Sequence, residues 1–182
     1  VQIPQHEEEL VQLLALMAGK KSFLEIGSRD GYTLKRVAAV LAPGALIVSV
    51  DLPDGPWGRD DSKKNLIDAT NRMSEMGFDT HLFLGDSTDP NIIRKVEALG
   101  RFDGILIDGD HTYEGISKDW ANYSPMSSMI FLHDTNGKEV LSGKKDMMGV
   151  PKLWREIKEN HKHDEFIATG KMPLLGIGVI HK

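Results

Sequence analysis

At 182 residues the chain is sized for one domain with a substantial core, and its 40% hydrophobic and 27% charged content is ordinary for a globular protein. A net charge of −5 argues against nucleic-acid binding driven by phosphate neutralisation, although Lys138, Lys144, Lys145 and Lys152 leave room for a local basic patch. The lack of any Cys excludes disulfides, thiolate metal sites and a Cys nucleophile. No apolar run approaches the roughly 20 residues of a membrane span, and the acidic start lacks a basic leader region, so a cytoplasmic setting is expected.

Leu10, Leu13, Leu14 and Met17 are spaced as on one helix face, predicting a helix over 5–18 that Gly19 caps. The expected division is an N-terminal helix, 1–19, packed on a single domain, 20–182. If its apolar face were left uncovered, that helix would offer a homodimer surface. SFLEIG (22–27) reads as a buried strand and 30–40 as a helix, followed by a Pro43-Gly44 turn and the two-sided strand ALIVSVD (45–51). The turn-rich segment 52–61 precedes a helix over 62–76. Then come strand 80–85, helix 90–99, strand 102–107, helix 112–121 and strand 128–132. This alternation predicts a doubly wound, mostly parallel α/β sheet with helices on both faces. Residues 134–149 have little periodicity and read as a lid loop. After a helix over 150–160, the runs 164–168 and 174–180 are too close for a parallel crossover, so the sheet should end in an antiparallel strand.

Five of the apolar runs break onto an acidic residue: Glu25, Asp51, Asp86, Asp108 and Asp134. Ligands of an open parallel sheet bind outside the carboxyl ends of its strands. A row of carboxylates on that edge suits hydroxyl, amino or cationic groups, or a metal ion. In FLEIGSRDGYT, Gly27 and Gly31 permit a sharp turn and close approach of a ligand to the main chain. The spacing is not G-x-G-x-x-G, and Glu25 would repel a pyrophosphate, so an uncharged or cationic ligand fits better. Asp51, twenty residues beyond Gly31, stands where a carboxylate accepts from ribose hydroxyls. Asp86 is placed either to meet an adenine amino group or to cap the helix at 90–99.

The ordered set ExGSxxG, Asp51, GDS, FDGILIDGDHTYEGISKDW and IFLHDTNG resembles the class I S-adenosylmethionine-dependent methyltransferases. The resemblance is closest to a small bacterial group in which DGDHxYE follows the fourth strand, and it runs from about residue 20 to 180. It implies a Rossmann-like seven-stranded sheet whose antiparallel last strand is MPLLGIGVI. It also implies that Glu25, Gly27 and Ser28 line the methionine part of the cofactor, with Gly31 in the same turn. Asp51 would hold the ribose, Asp86 and Ser87 would face the adenine, and Leu52 or Trp57 would pack on its ring.

Methyl transfer from a sulfonium requires the acceptor to lose or share its proton, either to a general base such as His or with the help of a divalent cation. The candidates are Asp108, Asp110, His111, His133 and Asp134. In related metal-dependent O-methyltransferases an acidic residue follows the fourth strand and an acidic pair the fifth. Asp108 and Asp134 match two of those positions, while His133 replaces the third. This departure shifts the metal expectation from Mg²⁺ towards Mn²⁺ or Zn²⁺. Asp110 could instead cap the following helix, His111 could bond a strand-end carboxylate, and Asp119 could be a solvated face charge or a supporting partner. Tyr113 is placed to reach the acceptor or to pack on the sheet. His161, His163 and His181 read as surface histidines. The expected substrate is a small molecule with a sugar-like or phenolic hydroxyl, not a nucleic acid or a membrane. A dinucleotide-dependent oxidoreductase is disfavoured by the missing glycine pattern, and a non-catalytic ligand-binding protein stands as the other alternative.

Overall fold

The computed structural model describes residues 7–53, 55, 61–136, 149–168 and 175–182. In chain order the elements are α1 (Glu7–Met17), β1 (Ser22–Ile26), α2 (Tyr32–Ala38), β2 (Leu46–Asp51), α3 (Ser62–Glu75), β3 (Asp79–Leu84) and α4 (Pro90–Glu97). They continue with β4 (Gly104–Ile107), α5 (Tyr113–Tyr123), β5 (Met129–His133), α6 (Gly149–Lys158), β6 (Lys162–Phe166) and β7 (Ile177–His181). The predicted Trp57 contact and most of the proposed lid, residues 137–148, lie outside the described residues.

The seven strands form one sheet in the order β3-β2-β1-β4-β5-β7-β6. β1 to β5 pair in parallel, and β7 inserts antiparallel between β5 and β6. The antiparallel ending expected from the short gap is present, and β6 forms the sheet edge beyond it. Central strands are apolar on both faces because helices cover both. In β1, Phe23 points into one core layer, while Leu24 and Ile26 point into the other. The first layer contains Leu13 and Met17 of α1, Leu34 and Val37 of α2, and Leu66 and Met73 of α3. The second contains Ile92 and Val96 of α4, Ile116 and Tyr123 of α5, and Leu153 and Trp154 of α6. Leu10, Leu13 and Met17 are fully buried, so the apolar stripe of α1 is spent on the chain's own core.

One carboxylate is buried with that stripe. Glu9 Oε1 accepts from the backbone N–H groups of Ala168 and Gly176, at 3.0 and 3.1 Å, and so ties α1 to both flanks of the β6–β7 connection. Gly176 in turn passes its carbonyl to Thr135 N–H, and Leu175 passes its own to Asn136 N–H, immediately after Asp134.

Candidate functional site

The parallel strands deliver their terminal residues to one edge, where a cavity of about 960 Å³ opens along β1, β2, β4 and β5 and the turn after β3. The residues proposed from the sequence for cofactor, metal or chemistry line it, except Gly31, Tyr113 and the undescribed Trp57.

The turn from β1 to α2 is built on left-handed backbone at Gly27, Arg29 and Gly31, with φ of 87°, 52° and 73°. A Cβ on Gly27 would collide with the backbone of Asp108 and Gly109, so this glycine is dictated by β1–β4 packing and not by ligand clearance alone. Gly31 likewise sits against Ala69 and Leu66 of α3, away from the cavity. Arg29 is the non-glycine residue in this strained region, and Asp51 fixes it: Oδ2 of Asp51 accepts from Arg29 N–H at 2.7 Å.

Glu25 is 2% exposed, and its Oε2 has no partner. Burial pushes its carboxyl up to about 8; a hydrogen bond with Ser28 opposes this, and repulsion from Asp108, Asp51 and Asp30 adds to it. Ser28 in turn accepts from Ser49 at 2.7 Å. Burial also raises Asp51, against the opposing Arg29 amide. Leu52 is 53% exposed and presents an apolar wall to the cavity.

Beyond β3, Asp86 is exposed and its Oδ1 accepts from the amide and hydroxyl of Thr88, both at 2.8 Å, in a local turn. It does not cap α4; Asp89 does, accepting from Asn91 N–H at 2.8 Å. Of the two readings of Asp119 in α5, a solvated charge or a supporting partner, the structure fits the second: the residue is 0% exposed. Its Oδ1 accepts from the Ser87 hydroxyl at 2.6 Å, Oδ2 has no partner, and burial pushes the group up to about 6. The pattern held a signal for this: Ile116, Asp119 and Tyr123 share one buried helical stripe.

Between the ends of β4 and β5, two carboxylates and two imidazoles interlock. His111 bridges Asp108 (Nε2 to Oδ1, 3.3 Å) and Asp134 (Nδ1 to Oδ2, 2.9 Å). His133 Nδ1 lies 3.4 Å from Asp108 Oδ1 and 2.8 Å from Asp134 Oδ1, the latter close enough for ion pairing though not aligned for a hydrogen bond. The backbone at Asp134 is left-handed (φ 65°), and its carboxylate meets both imidazoles. Burial alone would lower His111, but hydrogen bonds to Asp108 and Asp134 push it up to about 10. Burial likewise opposes the charge on His133, yet the same two carboxylates hold it well above its usual range. Both carboxyls resist burial in turn and are held below the usual range by the two imidazoles. Asp108, His133 and Asp134 can each offer a donor atom within 4.8 Å of the others, and His133 Nε2 is buried with no partner.

The remaining candidates have structural employment. Asp110 accepts from Thr112 N–H at 2.8 Å, while Thr112 itself caps α5 through Gly115 N–H at 3.1 Å. Tyr113 neither lines the cavity nor packs on the sheet: it donates to Glu156 at 2.6 Å, with Lys152 Nζ 3.6 Å from its ring centroid. His161 and His163 meet the edges of Trp120 and Trp154, and His181 pairs with Asp164 at 2.9 Å. Among the described residues no helix is long and apolar enough to cross a membrane.

This geometry has relatives among solved structures. An O-methyltransferase from Bacillus cereus, solved in complex with SAH, is 18% identical, with 100% of this chain and 83% of that one covered and a TM-score of 0.69. The O-methyltransferase TomG from Streptomyces achromogenes, involved in tomaymycin synthesis and solved with SAM, is 17% identical, with 99% and 81% covered and a TM-score of 0.70. Cofactor-bound Rv0187 from MTB is 15% identical, with 100% and 82% covered and a TM-score of 0.77. At these identities the likeness is one of fold. No curated protein matches the chain. A family model described as a methyltransferase domain matches residues 24–135, the stretch from β1 to the turn after β5 that supplies nearly the whole cavity wall. The chain therefore belongs to the methyltransferase-domain family.

Proposed function

We propose that this methyltransferase uses S-adenosylmethionine to methylate a hydroxyl oxygen, sugar-like or phenolic, of a small-molecule acceptor, with Asp108, His133 and Asp134 as ligands of a divalent metal. One observation carries the proposal: a single cavity joins the buried carboxylates of Glu25 and Asp51 to the Asp108–His133–Asp134 group. The solved relatives that are O-methyltransferases, with SAM or SAH bound, support both the cofactor and the acceptor atom.

The cofactor is cationic at sulfur and at its amino group, which suits a cavity whose β1–β2 end holds Glu25, a buried acid with no cationic partner among the described residues. Glu25 Oε2 offers a buried acceptor to the amino group, and Asp51 faces the ribose hydroxyls. Leu52 supplies an apolar surface for the adenine, whose edge meets the Asp86–Ser87 turn. Transfer is an in-line displacement: the methyl carbon–sulfur bond breaks as the carbon–oxygen bond forms, leaving a neutral thioether. The acceptor must shed its proton. As arranged, His111 and His133 are both held protonated, so neither is a free base at neutral pH. A bound divalent cation would lower the acceptor's pKa and orient it. The donor set fits such an ion, since His133 Nε2 and Asp134 Oδ1 lack hydrogen-bond partners, and its nitrogen favours Mn²⁺ or Zn²⁺ over Mg²⁺.

The test is calorimetric titration of S-adenosylhomocysteine with and without Mn²⁺, Zn²⁺ or Mg²⁺. Binding that Asp51→Ala abolishes, and a Mn²⁺ effect that Asp134→Asn abolishes, are the expected results. A folded protein that binds no S-adenosylhomocysteine under any condition overturns the cofactor assignment. Binding indifferent to every metal overturns the metal.

A further inference from the structure

We propose that Asp119, acting through Ser87, sets the hydrogen-bond polarity of the cavity wall at the adenine edge and thereby selects an amino-bearing over a keto-bearing purine; this rests on the cofactor assignment above. A hydroxyl has one proton to give. That of Ser87 is committed at 2.6 Å to Oδ1 of Asp119, a 0% exposed residue at the back of the same cavity wall whose Oδ2 has no partner, so both groups present only acceptors there. The Ser87 oxygen therefore has only lone pairs left for the cavity it lines.

A second contact from the same helix fixes the backbone beneath it. Tyr123, one turn beyond Asp119, donates its hydroxyl to the Ser87 carbonyl at 2.6 Å. On the other side, the amide and hydroxyl of Thr88 hold Asp86 Oδ1 and fix its carboxylate, itself an acceptor-only group. The turn thus presents a fixed side-chain acceptor. The exocyclic amino group of adenine donates to it, whereas the 6-oxo group of hypoxanthine would place acceptor against acceptor. Were Asp119 absent, the Ser87 hydroxyl would be released to rotate and serve either purine. Asp119 is a positioning residue in this scheme, and Ser87 is the group that touches the base.

The experiment compares dissociation constants for S-adenosylhomocysteine and S-inosylhomocysteine by calorimetry on the wild type, Ser87→Ala, Asp119→Ala, Asp119→Asn and the Ser87→Ala/Asp119→Ala double variant. The wild type should prefer the adenosyl ligand, and each alanine variant should reduce that preference about tenfold, as expected for one hydrogen bond made to the right partner and denied to the wrong one. The double variant should match Ser87→Ala alone, because Asp119 acts only through that hydroxyl. Asp119→Asn keeps an acceptor for Ser87 and should restore the preference. A purely structural Asp119 would weaken both ligands equally and leave their ratio unchanged, which overturns the proposal. So does an unchanged ratio in Ser87→Ala, a variant that leaves the buried Asp119 in place. A folded wild type that binds neither ligand sinks the cofactor assignment itself, a result distinct from binding without discrimination.

Discussion

At the β1–β2 end of the cavity, Glu25 and Asp51 are carboxylates whose pKa values rise because burial strips them of solvent, a cost that the Ser28 hydrogen bond at Glu25 and the amide and charge of Arg29 at Asp51 only partly offset. At the β4–β5 end, Asp108 and Asp134 occupy the same kind of strand-end position, yet His111 and His133 stand between them and hold both carboxyls low. One end has a single guanidinium, Arg29, beside Asp51 and, among the described residues, no cation acting on Glu25, while the other is already neutralised from within. A buried acid is stable only when it keeps its proton or finds a partner, and this edge uses both solutions a few ångströms apart. The first leaves room for a cationic ligand; the second must surrender imidazole protons before a metal can enter.

Breaking the neutralised end should have the larger effect. Asp108→Leu leaves two buried imidazoles sharing one carboxylate, and should cost about 3–5 kcal/mol of stability in denaturant titrations near neutral pH. A cost below about 1 kcal/mol would mean that the four groups do not compensate one another. The uncompensated end should respond with the opposite sign. Unfolded, Glu25 ionises near the ordinary glutamate value of 4.5; folded, it keeps its proton up to about 8. The folded state therefore binds more protons across that window, and stability falls as pH rises from 4.5 to 8, with the full penalty above. Glu25→Gln should flatten this fall, by on the order of 3 kcal/mol between pH 5 and 8.5, while weakening S-adenosylhomocysteine binding. An unaltered pH profile would show that Glu25 is not the uncompensated acid. A smaller effect is expected away from both ends: Glu9→Ala should cost about 1–2 kcal/mol by leaving the Ala168 and Gly176 amides without their carboxylate, read by the same titrations. No change would mean that water replaces the carboxylate.

The strand ends were legible because a parallel sheet demands apolar runs and lets each stop at a polar residue; Glu25, Asp51, Asp108 and Asp134 all came from that rule. The alternation of elements predicted the doubly wound sheet and its antiparallel ending. The place of β7 between β5 and β6 was not legible, since a short gap constrains direction and not which neighbour a strand joins. Nor was the fate of Glu9. Beside Glu7 and Glu8 it looks like a solvated charge, and only contacts remote in the chain reveal why it is buried. Asp119 was half legible, since the stripe it shares with Ile116 and Tyr123 points inward but does not reveal the Ser87 hydroxyl it meets. The bridge made by His111 is equally tertiary: it requires β4 and β5 to lie side by side before Asp108 and Asp134 come within reach of one ring.

The Glu9 carboxylate joins partners 159 and 167 positions away, close to the longest separation this chain permits. Contacts of such high contact order carry a large loop-closure cost and tend to form late in folding. The first helix can emerge early, yet its polar anchor has no partners until the chain reaches Ala168 and Gly176. The same clasp leads through Gly176 and Thr135 to the residue after Asp134. Local opening at the amino terminus would therefore be transmitted to the end of β5, which makes the first helix part of the site's rigidity although it contributes no wall to the cavity.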